Sequence, residues 1–189
     1  MAIDIANAIV RSSSNGVSII TNSTSGLSIE SGTTTIMNNR PAFFAEGNNQ
    51  NAWNSYTWSG AWGVMPFSNI LQNYGSCYSS STNRFTAPVS GVYWFTHTAF
   101  LYKNTDTSAS SYVHPAFYVN GVWSSRTATS QGNLRIRLKS YHSGGYYADA
   151  QINNVFNLTA GDYVEVQHYT SSSLQYLGSY SAFWGALIG

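Results

Sequence analysis

The chain has 189 residues and a formal net charge of +1, and only 8% of its residues are charged. Aromatic residues make up 15%, so the chain can build one large core, while its polar surface must consist mostly of Ser, Thr, Asn and Gln. The composition excludes a nucleic-acid-binding protein, which needs clustered Lys and Arg, and no apolar run approaches the ~20 residues that a membrane span requires.

Residues 1–40 differ in composition from the rest. They are rich in Ser, Thr and Asn, and residues 13–19 are echoed ten positions later by residues 23–29. The first residues lack the basic start of a secretory signal peptide. A segment so poor in apolar residues cannot bury a core alone, so we expect it either to be disordered or to be ordered by neighbouring copies or a docking partner. We therefore predict an attachment or stem segment over 1–40.

Residues 41–189 have the composition of an all-β protein, with turn residues between short runs of Tyr, Val, Ile, Thr, Phe and Trp. Asn120-Gly121 between two apolar runs is a strong hairpin signal. Ala160-Gly161-Asp162 predicts a second turn, in which Asp162 bonds to local backbone. The predicted strands are 42–45, 63–70, 84–85, 91–101, 112–119, 121–126, 134–141, 146–157, 162–170 and 180–188.

Two of the predicted strands, 91–101 and 180–188, carry apolar residues on both faces. In a strand, alternate side chains point in opposite directions, so one set can fill a sandwich core while the other set needs a separate cover. That cover is predicted to be a partner subunit around a threefold axis; a loop or the N-terminal segment is the alternative. The core or interface candidates are Val92, Tyr93, Trp94, Phe95, Phe183 and Trp184.

One set of spaced residues carries a family resemblance. The residues are Phe67, Asn73, Tyr78, Phe85, Gly91, Tyr93 and Phe95, which include the run FTAPVSGVY. At this spacing the chain resembles the C1q/TNF-like jelly roll over residues 41–189. The resemblance implies a β-sandwich that assembles as a homotrimer. The chain departs from the signature at His97, where the family prefers Phe or Tyr.

Within that family, the Ser/Thr-rich start and the weakly charged surface look more like C1q-like modules of bacteriophage virions than like collagen-stalked animal proteins. The resemblance implies a non-enzymatic virion protein, located in the virion, that forms the knob of a fibre or a capsid decoration. Residues 1–40 would then dock to other virion proteins, and the knob would contact the host surface. The alternative is a secreted or cell-surface adhesion or recognition protein of the same family.

No group of residues predicts catalysis, a metal site or a cofactor. The four His show no metal-binding spacing, and no carboxylates are paired for acid–base chemistry. His97 is interpreted as a core or interface histidine, with a threefold ring around an ion as the alternative. Residues 104–106 offer oxygen ligands, but one carboxylate is too little for calcium. Cys77 is predicted to be a small, partly buried thiol without a reactive role.

Two surface features are candidates for binding. Arg135, Arg137 and Lys139 alternate along a predicted strand and would share one face, which either receives acidic glycans or is an ordinary solvated edge. Trp53, Trp58 and Trp62 crowd one predicted loop. They could stack on sugars, although packing against a neighbouring subunit is favoured because three exposed Trp would promote aggregation.

Overall fold

The computed structural model describes residues 40–47, 53–55, 60–103, 112–123, 136–137, 139–140, 146–171 and 174–189. This part of the chain forms strands, turns and one 3-10 turn at Gly178–Tyr180, and it contains no helix long and apolar enough to cross a membrane. The strands are β1 (Ala42–Glu46), β2 (Trp53–Ser55), β3 (Ala61–Val64), β4 (Asn69–Tyr74), β5 (Tyr78–Ser79), β6 (Arg84–Thr86), β7 (Gly91–Lys103), β8 (Tyr112–Val119), β9 (Val122–Trp123), β10 (Ile136–Arg137), β11 (Lys139–Ser140), β12 (Tyr146–Leu158), β13 (Tyr163–Thr170), β14 (Gln175–Leu177) and β15 (Ala182–Leu187).

The strands form two antiparallel sheets. The large sheet has the order β11-β12-β7-β15-β1-β4, and β14 joins it by pairing with β7 and β2. The small sheet has the order β10-β8-β13-β6-β5, with β3 beside β13 and β9 beside β8. The non-sequential neighbours are typical of a jelly roll, so the predicted all-β jelly-roll sandwich is confirmed.

Aromatic rings from both sheets fill the core. Phe95 on β7 lies at its centre, with ring centroids 5.0 Å from Phe85 and 5.9 Å from Phe183. Phe117 of the small sheet lies 6.3 Å from the same ring. All four side chains are fully buried. Each contributes roughly 1.5–3 kcal/mol relative to an exposed side chain, so this cluster holds the two sheets together.

Polar signature residues fix the loops around that core. The Asn73 amide donates to the carbonyl oxygen of Tyr78 (2.9 Å) and accepts from the Tyr78 amide (3.0 Å). The Tyr78 hydroxyl donates to the carbonyl oxygen of Phe67 (3.0 Å), and the Tyr93 hydroxyl donates to that of Val89 (2.7 Å). Three of the signature side chains, those of Asn73, Tyr78 and Tyr93, therefore each close a particular loop onto the core.

The start of β1 and residue 189 lie at the same end of the sandwich. Leu187 donates its amide to the carbonyl oxygen of Pro41 (3.0 Å), and Val92 donates to that of Gly189 (2.6 Å). A Cβ on Gly91 would lie 2.7 Å from the Gly189 oxygen and 2.6 Å from Leu187 Cδ1. Only glycine fits at position 91, because the backbone approaches so closely there.

Both predicted turns have the expected chemistry. Asn120 (φ 52°) and Gly121 (φ 73°) form the two-residue turn between β8 and β9, which requires positive φ at both positions. Asp162 Oδ2 accepts from the amide of Thr159 (2.7 Å), as the sequence predicts. Its other oxygen accepts from the Asn120 side chain (2.8 Å), which ties the two turns together.

The predicted strand 63–70 is wrong. Residues 61–64 belong to β3 in the small sheet, and residues 69–74 form β4 at the edge of the large sheet. Between them Met65 and Phe67 are fully buried. The segment is apolar because it crosses the core between the sheets, and Pro66 cannot donate the hydrogen bond that a continuous strand would need.

The predicted strand 134–141 is also wrong as a single element. Residues 136–137 form β10, which pairs with β8 in the small sheet, whereas residues 139–140 form β11, which pairs with β12 in the large sheet. The chain changes sheets within the alternating run. Of the predicted strand 121–126, residues 122–123 form β9 and residues 124–126 lie outside the described ranges. The strand predicted from residue 180 begins at Ala182, after the 3-10 turn.

Candidate functional site

The outward side of the large sheet carries an apolar surface, which we call the large-sheet outer face. Trp94 on β7 is 39% exposed there, beside Val155 of β12 and Ala186 of β15, which are its register partners. Half-buried Trp184 stacks on Phe44 of β1 with ring centroids 5.4 Å apart. Contiguous exposed aromatic and aliphatic groups are typical of an interface rather than of a solvated surface.

The core or interface candidates separate into two sets in the structure. Tyr93, Phe95 and Phe183 are fully buried between the sheets, so they belong to the core. Val92, Trp94 and Trp184 alternate with them and lie on the outward side. The alternation predicted from the sequence is therefore present, while the identity of what covers the outward set stays a prediction.

A second aromatic group lies on the outward side of the small sheet. Trp62 on β3 is at its centre, with ring centroids 5.7 Å from Tyr118, 5.8 Å from Tyr169 and 5.9 Å from Trp123. His114 lies 6.4 Å from the same ring. We call this group, with Tyr112, the small-sheet aromatic cluster.

The small-sheet aromatic cluster stands on strands that are buried on their other side. In β8, Tyr112, His114 and Tyr118 are half-buried and alternate with buried Val113 and Phe117. Neither β8 nor β13 was predicted from the sequence to contribute to a site. The alternation of large aromatic residues at 112, 114 and 118 with apolar residues between them is the signal that could have identified it.

An ion pair borders this cluster. Arg84 Nε donates to Glu165 Oε2 (2.7 Å), and the Gln167 side chain donates to Oε1 (2.6 Å). The guanidinium also lies 4.1 Å from the ring centroid of Tyr163. Burial, followed by the charge of Glu165, raises the pKa of Tyr118. That phenol therefore keeps its proton and can donate a hydrogen bond at neutral pH.

The predicted loop of three tryptophans is not a single unit. Trp53 lies on β2 of the large sheet and Trp62 on β3 of the small sheet, so the two belong to different sheets, and Trp58 lies outside the described residues.

The basic face is likewise not formed as predicted. Arg137 and Lys139 belong to different sheets, and Arg135 lies outside the described residues.

Two histidines meet in the core. His97 of β7 and His168 of β13 are fully buried, with their Nε2 atoms 2.7 Å apart. His97 Nδ1 lies 2.9 Å from the carbonyl oxygen of Ala182, which can only accept. His97 therefore donates from Nδ1 and accepts at Nε2 from His168. The predicted core role of His97 is confirmed, and a ring of three such side chains around an outer axis is not compatible with this position.

Two further interpretations concern reactive groups. Cys77 is buried, its thiol lies 3.3 Å from the carbonyl oxygen of Tyr74, and burial raises its pKa to about 11, as expected for an unreactive thiol. Within the described ranges no three His, Cys, Asp or Glu residues are grouped as metal ligands. The possible calcium ligands at 104–106 and residues 1–39 of the predicted attachment segment 1–40 lie outside those ranges.

A family model agrees with this architecture. Residues 42–188 match the family model described as the C1q domain. Among solved structures, the chain is similar to the globular domain of zebrafish complement 1qA protein, with 19% sequence identity and a TM-score of 0.48. That alignment covers 79% of this chain and 98% of the zebrafish chain. A search of curated proteins found no match.

Proposed function

This chain belongs to the C1q domain family, and we propose that it is a non-enzymatic, homotrimeric recognition and assembly protein. In this proposal the large-sheet outer face of each subunit is covered by its neighbours around a threefold axis. The observation that carries it is the position of Trp94, which is 39% exposed beside Val155 and Ala186 although its strand lies in the middle of the sheet.

Several features support the proposal that another copy of the same chain covers the large-sheet outer face. The register partners of Trp94, Val155 and Ala186, are aliphatic, and the outward residues that flank Val155 on β12, Asn153 and Asn157, are polar but uncharged. With only 8% charged residues, copies of the chain repel one another weakly. Binding energy is concentrated in aromatic side chains that are buried at the centre of an interface.

We expect replacement of Trp94 by glutamate to dissociate the trimer. The change removes a large apolar contact and places a charge where three copies would exclude water, at a cost of at least about 2 kcal/mol per interface. Sedimentation equilibrium of the unmodified chain should give three times the monomer mass, and Trp94→Glu should give the monomer mass. Trp123→Ala, on the opposite sheet, is the control and should remain trimeric. A monomeric unmodified chain, or a trimeric Trp94→Glu variant, would contradict the proposal.

We further propose that this trimer is the knob of a bacteriophage fibre or a capsid decoration, located in the virion. The support is the Ser/Thr-rich segment 1–40 with its ten-residue echo, which suits docking to other virion proteins. A trimeric knob that contacts the host surface would gain avidity from its repeated sites.

Removal of residues 1–40 tests the virion role. We expect residues 41–189 to fold with unchanged thermal stability and to be lost from purified virions, measured by quantitative immunoblotting. The full-length chain expressed in parallel is the control. If the truncated chain is incorporated normally, the docking role is wrong. If the full-length chain is instead found on a cell surface or in the medium, the protein is the adhesion or recognition protein that the family match supports equally well.

A further inference from the structure

The small-sheet aromatic cluster has no role in the trimer proposed above, because it lies on the other sheet from Trp94. It does not serve the core either, since its strands already bury their opposite side. Trp123 is 44% exposed and projects from the short strand β9, and Trp62, Tyr118 and Tyr169 are only half-buried. Large aromatic side chains kept at a water-exposed surface indicate that this surface meets a ligand.

The rings of the cluster do not form a flat stack. Trp62 makes angles of 62° with Tyr118, 61° with Tyr169 and 42° with Trp123. The apolar surface is therefore broken into ring-sized facets with phenol hydroxyl and indole groups at their edges. Such a surface offers dispersion contacts and hydrogen bonds side by side.

Around Tyr118 the described part of the chain balances its charges, whereas at the other end of the cluster Arg137 of β10 is the register partner of Tyr112. The charge of Glu165 is compensated by Arg84 at 2.7 Å, and the carboxylate is 3% exposed. Gln167 bonds to the same carboxylate and is the neighbouring outward residue on β13. A ligand beside Tyr118 would meet hydrogen-bonding groups but no uncompensated charge among Arg84, Glu165 and Gln167, so this part of the surface favours a neutral ligand over an acidic one.

We propose that the small-sheet aromatic cluster binds a neutral glycan composed of pyranose rings with mainly equatorial hydroxyls. Such a ring presents C–H groups on both faces and hydroxyls around its rim, and it matches ring-sized aromatic facets bordered by polar groups. The site lies within one chain, so it would be present three times in the proposed trimer. The inference deepens the recognition part of the proposed function and rests on it only for avidity.

A glycan fits the cluster better than a protein partner does. A stable protein interface buries about 800 Å² per partner around a continuous apolar centre. Here the apolar facets are bordered by hydroxyl groups, and the polar residues Gln167 and Glu165 adjoin them. The observations therefore favour a ligand that is itself alternately apolar and polar at the scale of one ring.

Titration calorimetry of the full-length chain with cellohexaose and chitohexaose, and with maltohexaose as the comparison, tests this proposal. We expect saturable binding of at least one of these hexasaccharides and a loss of affinity of about tenfold or more in Trp123→Ala, because one stacking contact is removed. Val122→Ala is the matched control, since it removes a 68% exposed apolar side chain from the same strand and should leave binding unchanged. Circular dichroism should show all three proteins folded.

The outcomes separate this proposal from the trimer. No saturable binding by any of the three hexasaccharides, or equal affinity in Trp123→Ala, would overturn the glycan site even if the chain is trimeric. If the protein binds peptides on an array in a way that depends on Trp123, and binds no hexasaccharide, the surface is a protein-docking face. That result would also overturn the glycan site. Binding that survives in monomeric Trp94→Glu but not in Trp123→Ala would support the site independently of the trimer.

Discussion

Replacement of Phe95 by alanine is expected to lower the free energy of unfolding by about 3–5 kcal/mol. Its ring is fully buried, and the ring centroids of Phe85 and Phe183 lie within 5.9 Å of its own centroid. Truncation therefore opens a cavity between the two sheets. Gly185 of β15 faces this ring closely enough that an added Cβ would collide with it. The backbone there is shaped around the phenyl group, and neighbouring residues cannot simply move in to refill the space.

Chemical denaturation at a fixed protein concentration measures this effect, because oligomer formation makes apparent stability depend on concentration. Phe95→Leu is the matched control and should lose less, since leucine fills most of the volume. A loss below about 1 kcal/mol for Phe95→Ala would show that Phe95 does not connect the sheets as described.

Acidification is expected to destabilise the protein through the buried pair His97–His168. Burial, opposed by the hydrogen bond to Ala182, lowers the pKa of His97 to about 4 from an ordinary value of 6.5. Burial and then the charge of His97 lower the pKa of His168 well below its ordinary value. Because both pKa values are lower in the folded state, the unfolded chain binds protons first. Stability is therefore complete above pH 6.5 and falls as the pH decreases towards 4, with about 3 kcal/mol lost from His97 alone.

Urea denaturation at pH 7, 6, 5 and 4.5 measures this dependence. The double variant His97→Leu/His168→Leu separates it from the titration of carboxylates, because the ring-to-ring hydrogen bond is removed with both partners. We expect the double variant to change little between pH 7 and 5, where the unmodified protein weakens. Equal slopes in the two proteins would show that the histidines do not control the acid sensitivity.

Much of the sandwich could be predicted because the alternation of buried and outward side chains in a long strand is visible within a few consecutive residues. The run from Val92 to Phe95 shows both faces of β7 within four residues, and Asn120-Gly121 requires its turn whatever surrounds it. Strand β4 could not be found in this way. It lies at the edge of the large sheet, where Ile70, Leu71 and Tyr74 are exposed, and its polar sequence has no buried periodicity.

The errors concern which sheet a segment joins. Alternation at residues 134–139 gives the direction of side chains but not the pairing partner, so it could not show that Arg137 and Lys139 belong to different sheets. The small-sheet aromatic cluster was missed for a related reason. Trp62, His114 and Tyr169 come from three strands far apart in sequence, and only the folded chain brings them to one surface.

The adjacency of Pro41 and Gly189 at one end of the sandwich makes the domain suitable for circular permutation and for insertion into other proteins. A short linker could join the two positions, and the Asn120–Gly121 turn, which is exposed, offers a place to open the chain. In any fusion, both attached segments would start at the same end of the sandwich, and the opposite end would stay unobstructed. The domain could therefore be displayed on a scaffold in a fixed orientation by either connection.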